Sequence, residues 1–181
     1  MTITVLPKEK QVISVKSVPK IYTGKSSLDI KAKAKGDVKL KYSVDNKKIA
    51  SVDNKGLVKL KGCGNLKITI TAPETASYKK ATKIITTKIR PQKVSSVRFT
   101  SPGKGRMSVS WAKDNRATGY IVVFSKDSSF SESMTRTVQT SRTSLSYGNM
   151  PGMCYYVKVR SSYKAGLYLG EWSEVKKVFV K

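Results

Sequence analysis

The sequence contains no histidine. That removes the Ser-His-Asp and Cys-His relays, the HExxH zinc site and any imidazole general base. Cysteine is nearly absent as well. Cys63 and Cys154 are the only two, and neither has a CxxC partner. Their spacing is neither a zinc pattern nor a disulfide framework. Each reads as a small buried hydrophobe, and nothing in the sequence supports a bridge between them. Low cysteine use does not exclude export. Long apolar runs are missing too. Runs such as Tyr120 to Phe124 fall far short of a membrane-spanning helix, so no membrane insertion is expected. Acids are scarce, 11 Asp plus Glu against 36 Lys plus Arg. A glycosidase needs two carboxyls facing each other across a cleft. Asp45, Asp53, Asp114 and Asp127 instead sit in turn-like sequence, where an Asp side chain bonds nearby backbone N–H groups. No DxDxDG loop offers a Ca²⁺ site. Gly103-Lys104-Gly105 leads into no helix that could hold a phosphate, and reads as a hairpin turn. No lysine stands out as a base, and the RGD tripeptide is absent. No catalytic, cofactor-binding or metal-ligating set emerges, so the chain is read as not an enzyme and as needing no cofactor.

The opening residues, MTITVLPKEK, have neither a basic n-region nor an apolar h-region. If the protein is exported, its signal is expected outside this chain. The segment Leu6-Pro7-Lys8-Glu9-Lys10 is not an LPxTG sorting sequence.

What the sequence has is alternation and positive charge. It runs to 181 residues with a net charge of +25 and is 39% hydrophobic, too apolar for a disordered polycation. A composition step falls near Arg90-Pro91-Gln92-Lys93. Before it, the net charge is +15 and the bases are nearly all Lys. After it lie both Trp, all four Phe and six of the seven Arg. A step at a polar, Pro-containing segment marks a linker between two domains.

Both parts read as β. Leu28, Ile30, Ala32 and Ala34 alternate with Asp29, Lys31, Lys33 and Lys35. Val38, Leu40, Tyr42 and Val44 alternate with Lys39, Lys41 and Ser43, and Leu66, Ile68, Ile70 and Ala72 with Lys67, Thr69 and Thr71. Period two with one wet face predicts half-buried antiparallel strands. Lys35-Gly36-Asp37 and Asp53-Asn54-Lys55-Gly56 supply turns. In the second part, Met107, Val109 and Trp111 share a face. Tyr120 to Phe124 reads as a central strand, Tyr155, Val157 and Val159 alternate with polar neighbours, and Val175, Val178 and Val180 close the chain. No helical stripe interrupts the pattern. Turns every 8–12 residues or so point to sandwiches. The fold class is all-β, with two tandem β-sandwich domains.

Residues about 12–90 resemble a bacterial Ig-like domain of group 2. The resemblance rests on YSVDNKKIASVDNKGLVKLKGCGNLKITITAPETASYKKATKIITTKI, residues 42–89. It lies in Ile49-Ala50-Ser51-Val52, Gly56-Leu57-Val58, Gly62-Cys63-Gly64 and Ile70-Thr71-Ala72. Residues 93–181 resemble a fibronectin type III domain through Trp111 in VSWAK, the GYIVVFS strand from Gly119, PGMCYYVKVR (151–160) and the closing GEWSEVKKVFV. The second resemblance implies that Tyr155 forms the tyrosine corner. It departs at Asn149, where the family usually has Leu. The domain reading is therefore 11–90 Ig-like and 91–181 fibronectin type III. TITVLPKEK (2–10) is similar to TTKIRPQK (86–93), so residues 1–10 read as the tail strand of a preceding repeat, or as a first strand of this domain.

Two surfaces are candidate sites. Lys31, Lys33, Lys35, Lys39, Lys41, Lys59 and Lys61 (with Lys67 beside them) form an expected anion-binding face, since like charges opposed across strands repel and a polyanion would relieve them. The competing reading is a solvated coat that keeps edges from pairing. Lys outnumbers Arg 29 to 7, and no helix is available for a major groove, so specific nucleic-acid reading is not expected. The resemblance implies surface proteins, which makes an anionic cell-wall polymer the preferred partner. The second surface is the loop SSYKAGLYLGEW (161–172) with Tyr163, Tyr168 and Trp172, a candidate contact for a glycan or for a host or neighbouring surface protein. Against it stands a reading in which Trp172 packs on Arg160 as a cation–π pair. The function expected is a non-catalytic adhesion or stalk module of an exported bacterial surface protein, a monomeric fragment of a longer chain, extracellular at the cell surface or wall. The alternative is accessory modules, targeting carbohydrate or wall, of a larger secreted enzyme.

Overall fold

The computed structural model describes residues 7–24, 26–36, 38–148, 150 and 152–181. The chain divides between Ile89 and Arg90 into two compact units. Among the described residues the one helical element is a 3-10 turn, Glu132–Met134. The rest is strand and loop, so the all-β expectation holds.

The first unit has nine strands: β1 (Ile13–Val15), β2 (Ile21–Tyr22), β3 (Ser27–Asp29), β4 (Ala32–Ala34), β5 (Lys41–Val44), β6 (Ala50–Val52), β7 (Leu57–Leu60), β8 (Gly64–Ala72) and β9 (Ala81–Ile89). One sheet has the order β2-β9-β8-β5, a second β3-β7-β6, and β1 pairs with β4. The alternating positions read from the sequence do face inward. Val58, Leu66, Ile68, Ile70, Ala72 and Ile89 are sealed from solvent, with Leu28, Ile30 and Leu60 beside them in one core. Each such aliphatic side chain contributes about 1.5–3 kcal/mol of burial.

The expected single run from Leu28 to Ala34 is two strands. β3 pairs with β7, while β4 pairs with β1. Between them the Ile30 N–H donates to the Gly56 carbonyl at 3.0 Å, and the Lys31 carbonyl accepts from the Lys16 N–H at 2.9 Å. The chain thus leaves one partner for another without breaking its inside–outside alternation. Gly56 makes the crossing possible. Its φ is +88°, and a Cβ there would stand 2.7 Å from the Ile30 oxygen. Of the expected tail strand, residues 1–10, the structure describes 7–10. There the Glu9 N–H donates to the Ser77 carbonyl and the Lys79 N–H to the Glu9 carbonyl.

The second unit has β10 (Arg98–Gly103), β11 (Arg106–Ser110), β12 (Gly119–Ser125), β13 (Thr135–Thr140), β14 (Ser144–Tyr147), β15 (Cys154–Tyr163), β16 (Tyr168–Leu169) and β17 (Lys176–Phe179). One sheet has the order β10-β11-β14. The other has β13-β12-β15-β16, with β17 also on β15. Met107, Val109 and Trp111 meet Tyr120, Val122, Phe124, Tyr155, Val157, Val159 and Val180 between the sheets. Tyr155, the expected corner tyrosine, is 4% exposed. Asn149 and Pro151 lie outside the described residues. Val175 departs from expectation: it precedes β17 and is exposed, while Val178 and Val180 pack inward.

Gly103-Lys104-Gly105 is the hairpin turn between β10 and β11, all three residues with positive φ. The four singled-out acids bind backbone N–H groups. Asp53 accepts from Lys55 and Leu57, Asp45 from Lys67, Asp114 from Gln92 and Arg116, and Asp127 from Ser129 and Ser131.

Candidate functional site

The seven lysines expected on one face are not on one face. Lys33 lies on β4, Lys41 on β5 and Lys59 on β7, while Lys31, Lys35, Lys39 and Lys61 lie off the strands. Lys59 stands between inward Val58 and Leu60 on the β3-β7-β6 sheet, and so points outward there. Lys41 points outward from the β2-β9-β8-β5 sheet. The two sheets share one core, so these two side chains leave the domain on opposite sides. Strand alternation decides in or out; it does not decide which wall. Two of the seven are also engaged. Lys35 is 2.6 Å from Glu9 and stands over the Tyr78 ring, and Lys31 is 3.9 Å from Asp29. The hydrogen bond to Glu9 raises the Lys35 pKa.

Register brings a different set of lysines together. In the β8–β9 ladder Lys67 faces Thr86 and Asn65 faces Lys88. Leu66 and Ile68 point into the core, so these four point outward. β2 joins the same end in parallel with Lys88 and Ile89, and the Lys88 N–H donates to the Lys20 carbonyl at 2.8 Å. Lys20, Lys67 and Lys88 line an open depression of about 430 Å³ together with Asp45, Asn65, Thr86 and Thr87. The Asp45 carboxylate is turned to the backbone, accepting from the Lys67 N–H at 2.9 Å. None of the three ammonium groups has a carboxylate within ion-pair distance among the described residues. Three like charges and amide and hydroxyl donors in one hollow suit a phosphate or carboxylate of a polyanion. Sequence reading missed the group because its members lie on three separate segments, and only pairing partners reveal it.

In the second unit Trp172 is engaged within the protein. The Arg160 guanidinium lies 4.2 Å from its ring centre and Lys158 Nζ 5.0 Å, and Lys158 is also 3.7 Å from the Phe130 ring. Arg160 and Lys158 are the register partners of Ile121 and Val123. The stack therefore occupies the outer face over these two residues, each under 10% exposed. Burial lowers the Arg160 pKa. This is the competing cation–π reading of Trp172. Tyr163 and Tyr168 pair across the β15–β16 hairpin with ring centres 6.1 Å apart, and both are half-buried. Leu167 stands exposed at the tip.

No group of three or more Cys, Asp or Glu suited to a metal occurs among the described residues. Neither cysteine is in a disulfide; Cys63 is buried and Cys154 half-buried.

Residues 2–83 match the family model of the bacterial Ig-like domain (group 2). The first unit is a bacterial Ig-like domain. The second packs a three-stranded sheet on a larger one. No curated protein matches the chain. Solved structures similar to it include the FN5 domain of Drosophila Lar, 16% identical over 49% of this chain and 94% of that one, TM-score 0.41. They also include the FN1–FN3 domains of chicken CNTN1, 15% identical over 97% and 68%, TM-score 0.44. Domains d3–d4 of the rat CD45 extracellular region are 20% identical over 62% and 63%, TM-score 0.45. Bacterial Ig-like domains are typical of extracellular and surface proteins, and no helix among the described residues is long and apolar enough to cross a membrane.

Proposed function

We propose that these two sandwiches are non-catalytic modules of an exported bacterial surface protein, and that the Ig-like unit makes weak, salt-sensitive contact with an anionic cell-wall polymer. The observation that carries this reading is the convergence of Lys20, Lys67 and Lys88 in one hollow on a chain of net charge +25. Clustered cations attract a polyanion and gain from the counterions it releases. Lysine serves here as a point charge with no demand for bidentate geometry, which suits a repetitive polymer better than a unique base sequence. The four acids that might have formed a reactive pair are spent on backbone N–H groups, which favours contact over turnover.

The test is co-sedimentation with isolated bacterial cell walls at low salt, with and without extraction of their phosphate polymers. Binding is expected to fall on extraction and in the triple variant Lys20→Ala, Lys67→Ala, Lys88→Ala. Retention no greater than that of a neutral β-sandwich of the same size would sink the reading.

A further inference from the structure

The second unit carries a hollow of another kind. Among the described residues β13 pairs only with β12, and β14 only with β11, so one side of the sandwich lies open between two strand edges. A cavity of about 300 Å³ sits there, with Phe124, Tyr147, Met150, Tyr155 and Met134 as its apolar floor and lip. Two cations line it, Lys126 and Arg136, and no carboxylate does. Neither cation has an ion-pair partner among the described residues. The adjacent Asp127 carboxylate is saturated by the hydroxyls of Ser129 and Ser131, each at 2.5 Å.

Arg136 is placed by register. It faces Phe124, as Val138 faces Val122, so it lies on the core-facing side of an edge strand, at the mouth of the sandwich. Its guanidinium lies over the Tyr147 ring at 5.4 Å, which limits the directions the fork can take. An inward charge on an edge strand also discourages pairing with another chain, and that role leaves the charge itself unmatched. The remaining lip is Met134, 49% exposed, a flexible thioether that adapts to the shape of a guest.

We propose that this cavity binds a carboxylate carried on a small apolar framework, the apolar part on the Phe124–Tyr147–Tyr155 floor and the carboxylate across Arg136 and Lys126. The volume is at the lower end of small-molecule sites and suits one residue-sized group. A planar guanidinium takes a carboxylate through two parallel bonds, and Lys126 adds a point charge. Two sources present this chemistry, the free C-terminal residue of a peptide and a free small acid. The site is separate from the lysine hollow of the Ig-like unit and stands or falls without it.

The test is a titration of the full chain, labelled at the methionine methyls, followed by NMR. The probes are N-acetylphenylalanine, its amide, acetate, and a short peptide ending in free phenylalanine. The acid is expected to shift the Met134 and Met150 methyls with a millimolar dissociation constant, and the amide to bind about tenfold more weakly, the loss that goes with a charge-assisted bond. Arg136→Gln should weaken the acid by a similar factor with an unchanged melting temperature, and Arg136→Lys by less. Binding of the peptide alone assigns the site to chain termini; binding of both shows that the free acid suffices. Equal affinity for acid and amide, acetate as effective as the aromatic acid, or unmoved Met134 and Met150 methyls would overturn the proposal.

Discussion

Asp114 shows how much one side chain can organise. It is 6% exposed. Its carboxylate accepts from the Gln92 N–H at 2.7 Å and the Arg116 N–H at 3.0 Å, with Arg116 Nε at 3.9 Å. Its own N–H donates to the Tyr120 hydroxyl at 2.9 Å, on a ring edge-on to Trp111. Replacing this carboxylate removes the acceptor of the Gln92 and Arg116 N–H groups and takes the negative charge from beside a buried guanidinium. Asp114→Ala is expected to cost the second unit about 3–5 kcal/mol, read as a lower midpoint in urea by Trp fluorescence; a loss under about 1 kcal/mol would refute the role. Asp127 makes the opposite case, a half-buried acid with dense local bonding. The Ser129 and Ser131 hydroxyls hold its carboxyl well below the usual range. A depressed carboxyl stabilises the folded loop at every pH above its unfolded value near 4. That contribution is lost only as pH falls towards the depressed folded value. The loop amides of residues 127–131 are therefore expected to keep their NMR shifts down to about pH 3. A midpoint near 4 would mean that the serine hydroxyls do not bond the carboxylate.

At the scale of the element, the turn that closes on Gly56 also serves a distant crossing. Asp53 holds the turn through the Lys55 and Leu57 N–H groups, and the Gly56 carbonyl takes the Ile30 N–H just where β3 gives way to β4. Gly56→Ala must both adopt a positive φ and drive a methyl against the Ile30 oxygen. We expect a loss of at least about 2 kcal/mol in the first unit, with hydrogen-exchange protection lost at Ile30; a neutral substitution would show that the crossing tolerates a shift. Most of the strand content was legible because period two is a local property. Leu66, Ile68, Ile70 and Ala72 announce an inward face whatever lies opposite. The crossing between Leu28 and Ala34 was illegible for the same reason. Parity continues unbroken through it, and a change of partner leaves no mark on the side that each residue faces. Trp172 lies between these cases. Its neighbour Arg160 could be named from β15, and Lys158 two residues before it shares that face, but Phe130 required the fold of the loop that carries it.

For the molecule as a whole, the sum of charge was plain in the sequence and its distribution was not. A net charge of +25 predicts a general attraction for polyanions. Only the pairing of β8 with β9, and of β9 with β2, concentrates three ammonium groups in one hollow while sending Lys41 and Lys59 to opposite sides of the domain. The cavity beneath Arg136 was hidden likewise, since its lining comes from both sheets. Charge in bulk and charge in a cluster differ in how they respond to salt. Each lysine that neutralises a polymer phosphate contributes roughly 0.7–0.9 to the slope of log affinity against log salt. On the proposal that these three contact a wall phosphate polymer, removing Lys20, Lys67 and Lys88 together should lower that slope by about 2. Removing Lys33, Lys41 and Lys59 subtracts the same formal charge from dispersed positions and should lower it by less than about 1. Salt titrations of the two triple variants against the same polymer separate the cases: equal slopes would mean that the polymer reads total charge alone, and that the hollow on the Ig-like unit has no special part in it.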